Sequence, residues 1–153
     1  MRISGSAAGC MAARHSGMND IVLNKAEIIE RALARVHDTY ARHQQDLEQS
    51  LDAQDVIVLN LQRACEAAID LAMHIVRIRG LGLPKDSKSA FSLLAQAQEI
   101  STQCADHLKK MTGFRNIAVH DYRVLDWVIV RSIIETHCGD LALFASEMVK
   151  KHG

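Results

Sequence analysis

VIVLNLQRACEAAIDLAMHIVRI, residues 56–78, is apolar around most of a helical girth. Val56, Ile57, Leu59, Leu61, Ala64, Cys65, Ala68, Ile69, Leu71, Ala72, Ile75, Val76 and Ile78 leave only a narrow polar stripe of Arg63, Glu66, Asp70, His74 and Arg77, spaced three or four apart. A helix this apolar sits at the centre of a bundle, or faces both a core and a partner chain. Asp52 is the expected N-cap and Gly80 the expected stop near Arg79. The stripe reads either as a solvated face with intrahelical ion pairs or as a face turned toward a site. Asn60, between Leu59 and Leu61, needs hydrogen-bond partners if buried.

Outward from this helix the pattern stays helical. Val22, Ala26, Ile29, Leu33, Val36, Tyr40, His43 and Leu47 trace one buried stripe of a first helix, expected over 24–49. Gly80 to Ser87 is a loop containing the single proline; its glycines lack the spacing of a phosphate-binding turn, though the loop could approach a bound RNA. Ser87 or Ser89 can cap a short helix to Gln98, with Phe91, Leu94 and Ala95 inward. Ser101 can cap another to Lys110. Leu125, Val128, Ile129, Ser132, Ile133 and Thr136 resume helical spacing, and Leu141, Phe144, Ala145 and Met148 complete the core beyond Gly139. Residues 150–153 are expected to fray.

Composition agrees. At 48% hydrophobic but 4% aromatic, the chain favours Ala/Leu/Ile-packed helices over a sandwich or barrel. A length of 153 residues supports one domain with a real core. The expectation is all-α: a single up-and-down bundle of five or six helices. Residues 1–17, rich in Gly, Ala and Ser, read as a disordered leader or as lying upstream of a start at Met18, and 18–153 as the domain. No run approaches the ~20 apolar residues that span a bilayer, so the expected compartment is the cytoplasm, with no membrane partner. Eighteen basic and 18 acidic residues cancel, which excludes a global positive field for nucleic acid; any RNA contact must be local. Cys10, Cys65, Cys104 and Cys138 show neither zinc-ribbon nor disulfide spacing. His137-Cys138 reads either as a metal pair or as simple packing, and packing is favoured: no metal is expected.

The chemistry concentrates in Phe114-Arg115-Asn116-Ile117-Ala118-Val119-His120-Asp121-Tyr122. Arg115 is always cationic and offers a planar fork of donors suited to phosphate. His120 exchanges protons near neutral pH. Residues five apart on a straight α-helix point roughly 140° apart. Convergence of the pair therefore needs a bend, a π-type turn or a second copy of the chain; a bent or bulged helix combined with a dimer is expected. Lys109 and Lys110 read as cations at a helix C-terminus, or as added charge for RNA phosphates.

Arg115, four residues, His120, one residue, then Tyr122 resembles the R-x4-H-x-Y motif of the HepT toxins, a branch of the HEPN ribonucleases. Val58 to Ala72 looks like that family's second helix, and Asp126, Asp140 and Phe144 fall where its pattern leads; the likeness runs from about Met18 onward. The resemblance implies a homodimeric, metal-independent endoribonuclease toxin without cofactor, acting on RNA, with transfer RNA as the family-based target. His120 would transfer protons and Arg115 would stabilise the phosphorane. Asn116 would orient one of these groups or contact the RNA, and Glu66 or Asp70 would orient a basic group. It also implies that an MntA-type nucleotidyltransferase antitoxin attaches AMP to Tyr122. The rivals are a non-catalytic adaptor that presents nucleotide or substrate to such a transferase, and an inactive helical scaffold.

Overall fold

The computed structural model describes the backbone of residues 6–121 and 125–153, and the side chains of 19–117 and 125–153. The elements are α1 (Ser6–Arg42), α2 (Leu51–Arg79), α3 (Ser87–Gln96), α4 (Thr102–Asp121), α5 (Trp127–Ser132) and α6 (Cys138–His152). A π-helical turn, Ile133–His137, joins α5 to α6. Its flanking residues keep right-handed helical backbone, so α5, the π turn and α6 form one rod. The all-α bundle expected from periodicity is the architecture found.

α2 is the axis. It packs against α1, α3, α4 and α6, which buries most of its apolar girth, while Leu59 and Ile78 stay exposed. Of the polar stripe, His74 is buried, whereas Asp70 turns to α1 and pairs with Lys25 at 3.2 Å. The stripe is thus not one solvated face. Asn60 is buried and its Nδ2 donates to the Val56 carbonyl at 2.8 Å, the partner its burial demanded.

The ends of α2 show why local chemistry sets helix limits. Ser50, in extended backbone, is the N-cap in place of the expected Asp52; its Oγ accepts from the Ala53 N–H at 3.2 Å. Asp52 instead sits in the first turn, where its charge meets the positive end of the helix dipole. Gly80 takes the left-handed conformation (φ 61°), its N–H donating to the Arg77 carbonyl and that of Leu81 to Val76.

The α1 stripe is buried as its spacing predicted, from Val22 through Ile29, Val36 and Tyr40. The helix itself begins at Ser6, ahead of the expected Asn24, and stops at Arg42, short of Gln49. Leu47 still reaches the core from the turn after α1, and Gln54 Nε2 closes that turn on the Leu47 carbonyl at 2.9 Å.

α3 is capped by Asp86 rather than a serine. A reciprocal capping box forms, with the Ser89 N–H donating to Asp86 Oδ1 at 2.8 Å and the Asp86 N–H to Ser89 Oγ at 3.0 Å. Past Gln96, Gln98 adopts φ 61° and reproduces the stop seen at Gly80, with its N–H on Ala95 and that of Glu99 on Leu94. Phe91 of α3 meets Phe144 of α6 edge to face at 5.8 Å in the centre of the core.

The C-terminus does not fray as expected. α6 stays helical to His152, whose Nε2 lies 2.9 Å from Glu99 Oε1, and Lys151 donates to the Glu99 carbonyl at 2.7 Å. Arg79 closes on the other Glu99 oxygen, so α2 and α6 meet on one buried carboxylate carried by the turn between α3 and α4. Among the described residues, no helix is long and apolar enough to cross a membrane.

Candidate active site

α4 carries the motif. Ser101 Oγ accepts from the Cys104 N–H at 3.0 Å and starts the helix. Cys104, Leu108 and Met111 then recur at spacings of four and three and bury one face. Thr112, also buried, returns its hydroxyl to the Leu108 carbonyl at 3.2 Å, and Cys65 Sγ of α2 points to the Met111 carbonyl at 3.7 Å. This face locks α4 on α2 and decides where the motif residues look.

The helix does not end at Lys110 or Gly113. It runs to Asp121 as α-helix, so Lys109 and Lys110 are mid-helix residues, not a positively charged C-terminus. Nor does it loosen within the motif; the π turn lies instead in the α5–α6 rod, at Ile133–His137. The expected bulge between Arg115 and His120 is therefore corrected. Hydrogen bonding from the packed Leu108–Phe114 turns simply continues through Gly113, a residue a helix tolerates at about 1 kcal/mol.

Arg115 is half-buried and Asn116 exposed. Both line a pocket of about 290 Å³ with Thr112 and with Asp86, Ser87 and Lys88 from the start of α3. Arg115 Nε is shielded from water and has no hydrogen-bond partner among the described residues. A guanidinium donor held in this way is suited to an incoming acceptor, since a buried unpaired donor costs about 1–3 kcal/mol. Lys88 adds positive charge to the pocket. Asp86 subtracts some, although its carboxylate is engaged in capping and is held below the usual range by the Ser89 N–H and hydroxyl. The Gly80–Ser87 loop, expected to be able to approach RNA, thus does border the site, through its last residues.

The other expected site residues divide. Glu66 is exposed on α2 and Asp70 is paired with α1; neither lines the Arg115 pocket. Lys109 is half-buried. Lys110 borders a second, apolar cavity of about 550 Å³, with Met111, Phe114, Ile117, Ile129 and Ile133 among its walls. His120 lies on α4, with its side chain outside the described residues, and Tyr122 lies outside them altogether. What sequence reasoning missed is the contribution of Asp86, Ser87 and Lys88, which no spacing relates to residue 115.

Residues 29–148 match the profile of the ribonuclease HepT-like family. A Shewanella oneidensis protein named mRNA nuclease HepT is 46% identical over 127 residues, covering 83% of this chain and 95% of the relative. The chain belongs to the HepT-like ribonuclease family. Its fold matches HepT-type toxins in solved complexes. One crystal structure of a toxin–antitoxin pair with AMP-PNP superposes with a TM-score of 0.80 at 42% identity, covering 84% of this chain and 97% of that one. A second, the tri-AMPylated Shewanella oneidensis HEPN toxin in complex with its MNT antitoxin, gives 0.80 at 43% identity, covering 84% and 96%. The HepT-like match encloses the whole 114–122 stretch.

Proposed function

We propose that this chain is the toxin of a toxin–antitoxin pair, a metal-independent endoribonuclease whose catalytic groups are Arg115 and His120. The ribose 2′-hydroxyl attacks the adjacent phosphorus as His120 removes its proton. The P–O5′ bond breaks, the departing 5′-oxygen takes a proton from a second imidazole, and a 2′,3′-cyclic phosphate is left. Arg115 neutralises the phosphorane, and Asn116 orients the phosphate or contacts the RNA. The observation that supports this reading is the half-buried Arg115 side chain, which lines an open pocket with Lys88 and whose Nε has no partner among the described residues.

On a continuous α-helix, positions 115 and 120 lie roughly 140° apart around the axis. The remaining route to a full set is a two-fold homodimer that supplies a second imidazole and guanidinium. Ile117, Val128 and Ile129, 52%, 74% and 57% exposed beside the apolar cavity, support such a contact. Lys109 and Lys110 act in this reading from outside the Arg115 pocket, as positive charge along the RNA path; Glu66 orients a basic group from there, whereas Asp70 is taken by Lys25 of α1. The domain that performs the reaction is taken as 18–153, and its compartment as the cytoplasm.

The substrate is RNA. Transfer RNA is the target the resemblance implies, and messenger RNA is the one the Shewanella relative's name states; incubating both with the pure protein decides between them. Cleavage should persist in chelator and fall ~10²–10⁴-fold in His120→Ala and ~10²–10³-fold in Arg115→Ala. Rapid cleavage by the double variant would refute the assignment. A protein harmless when expressed alone, with or without His120, would favour the adaptor reading.

Control is assigned to Tyr122. Its phenolate attacks the α-phosphorus of ATP on an MNT-type nucleotidyltransferase, pyrophosphate leaves, and the added AMP places phosphate charge and bulk beside Arg115 and His120. The AMPylated state of the Shewanella toxin in its complex supports this. Intact mass after mixing with the transferase and ATP should rise by AMP units in the wild type and stay constant in Tyr122→Phe.

A further inference from the structure

Eight residues before Arg115, and roughly 12 Å back along α4, His107 faces the α5–α6 rod. Its Nδ1 lies 3.0 Å from Asp140 Oδ2, and His137 Nδ1 lies 3.2 Å from the same oxygen. One ligand atom from each residue falls within 4.8 Å of the others. The two imidazoles stand edge to face, centroids 5.3 Å apart. All three side chains are partly shielded, 22–26% exposed.

Three features separate this cluster from an ordinary surface ion pair. First, His137 Nδ1 makes a hydrogen bond to Asp140, but His107 Nδ1 does not, although it is near and shielded from water; the oxygen lies off its donating direction. A buried ring nitrogen left this way calls for another partner. Second, the two His–Asp separations, 3.0 and 3.2 Å, approach the edges of a tetrahedron around an ion bound at 2.0–2.2 Å, roughly 3.3–3.6 Å, and the third separation lies within 4.8 Å. Third, the π turn delivers His137. One extra residue in a helical turn shifts the phase of the downstream helix by about 100°, and the turn here ends at His137 itself.

We infer that His107, His137 and Asp140 form a binding site for one late first-row divalent ion, of the zinc class, that staples α4 to α6. Two imidazoles and one carboxylate suit such an ion, whereas magnesium and calcium prefer all-oxygen shells. Three protein ligands leave a further position for water, and the partial exposure of all three gives the ion an entry path. The site lies away from the Arg115 pocket and its role is structural: it fixes α4, the helix that carries the motif. The inference does not rest on the nuclease reading, and cleavage in chelator remains the expectation.

The test uses the full chain, tag-free and stripped with chelator. Zinc is titrated by calorimetry, and cobalt binding is followed by its visible absorption. The wild type should take up one equivalent and melt at a higher temperature with zinc than without. His107→Gln and Asp140→Asn should each weaken binding at least ~100-fold, while His43→Gln, at the exposed His43–Asp46 pair, should bind as the wild type does. Circular dichroism without metal checks that each variant is folded, and His137→Gln replaces any that is not. No saturable uptake by the wild type, or equal uptake by the ligand variants, would overturn the site.

Discussion

Replacing Glu99 by Gln removes one charge from a carboxylate that is 5% exposed and touches both α2 and α6. Glu99 faces Arg79 of α2, His152 of α6 and the Lys151 ammonium on its own carbonyl. Burial pushes its carboxyl pKa up, but the hydrogen bonds and charges of His152 and Arg79 outweigh that and hold it below the ordinary value. The two partners differ in what they lose. Arg79 is 42% exposed and can turn to water, so its share lies in the 0–1 kcal/mol range of surface pairs. His152 is 16% exposed and cannot, so its share approaches the cost of breaking a buried pair, ~3–5 kcal/mol, reduced because glutamine still offers an acceptor. The net expectation is a loss of about 2 kcal/mol, or roughly 4–8 °C in Tm for a chain of this length.

The assay is urea unfolding followed by circular dichroism, repeated from pH 7 to pH 3. A carboxylate with a lowered folded-state pKa contributes stability above its unfolded value, about 4.3, and loses it as pH falls through the folded one. The wild type should therefore lose stability more steeply than Glu99→Gln below about pH 4.5. Stabilities that agree within about 0.5 kcal/mol at pH 7, or parallel acid limbs, would refute the account of this cluster.

Phe144→Ala, which empties the fully buried contact with Phe91, should cost about 3–5 kcal/mol in the same unfolding assay. Gln98→Gly should stabilise by about 1 kcal/mol, because Gln98 holds a left-handed φ of 61° that glycine adopts without a Cβ clash; an unchanged midpoint would contradict this. Burial pushes the thiols of Cys65 and Cys138 up to about 12, with neighbouring Cys138 and Asp140 respectively adding to the shift. Both should resist thiol reagents at pH 8 until the protein unfolds, as peptide mapping of labelled cysteines will show.

Residue order alone was enough for the helical class, the α1 stripe from Val22 to Tyr40, the central place of α2, and the Gly80 stop. Each depends on contacts within a few residues or on a periodicity of 3.6, and such information is local. The R-N-x3-H-x-Y stretch was equally legible, because its residues are adjacent in the chain. Packing in three dimensions settled the contacts that cross between helices. The sequence pointed to Asp52 and Ser87 or Ser89 as caps, but the backbone made Ser50 and Asp86 the acceptors. It offered no reason to join Glu99 to Arg79 and His152, across 20 and 53 residues, and so read a docked terminus as a frayed one. Nor could it set Lys88 beside Arg115, or place a π turn at Ile133–His137 rather than in the motif. Side chains far apart in sequence meet only when helices have packed, and no local pattern records the angle at which they do.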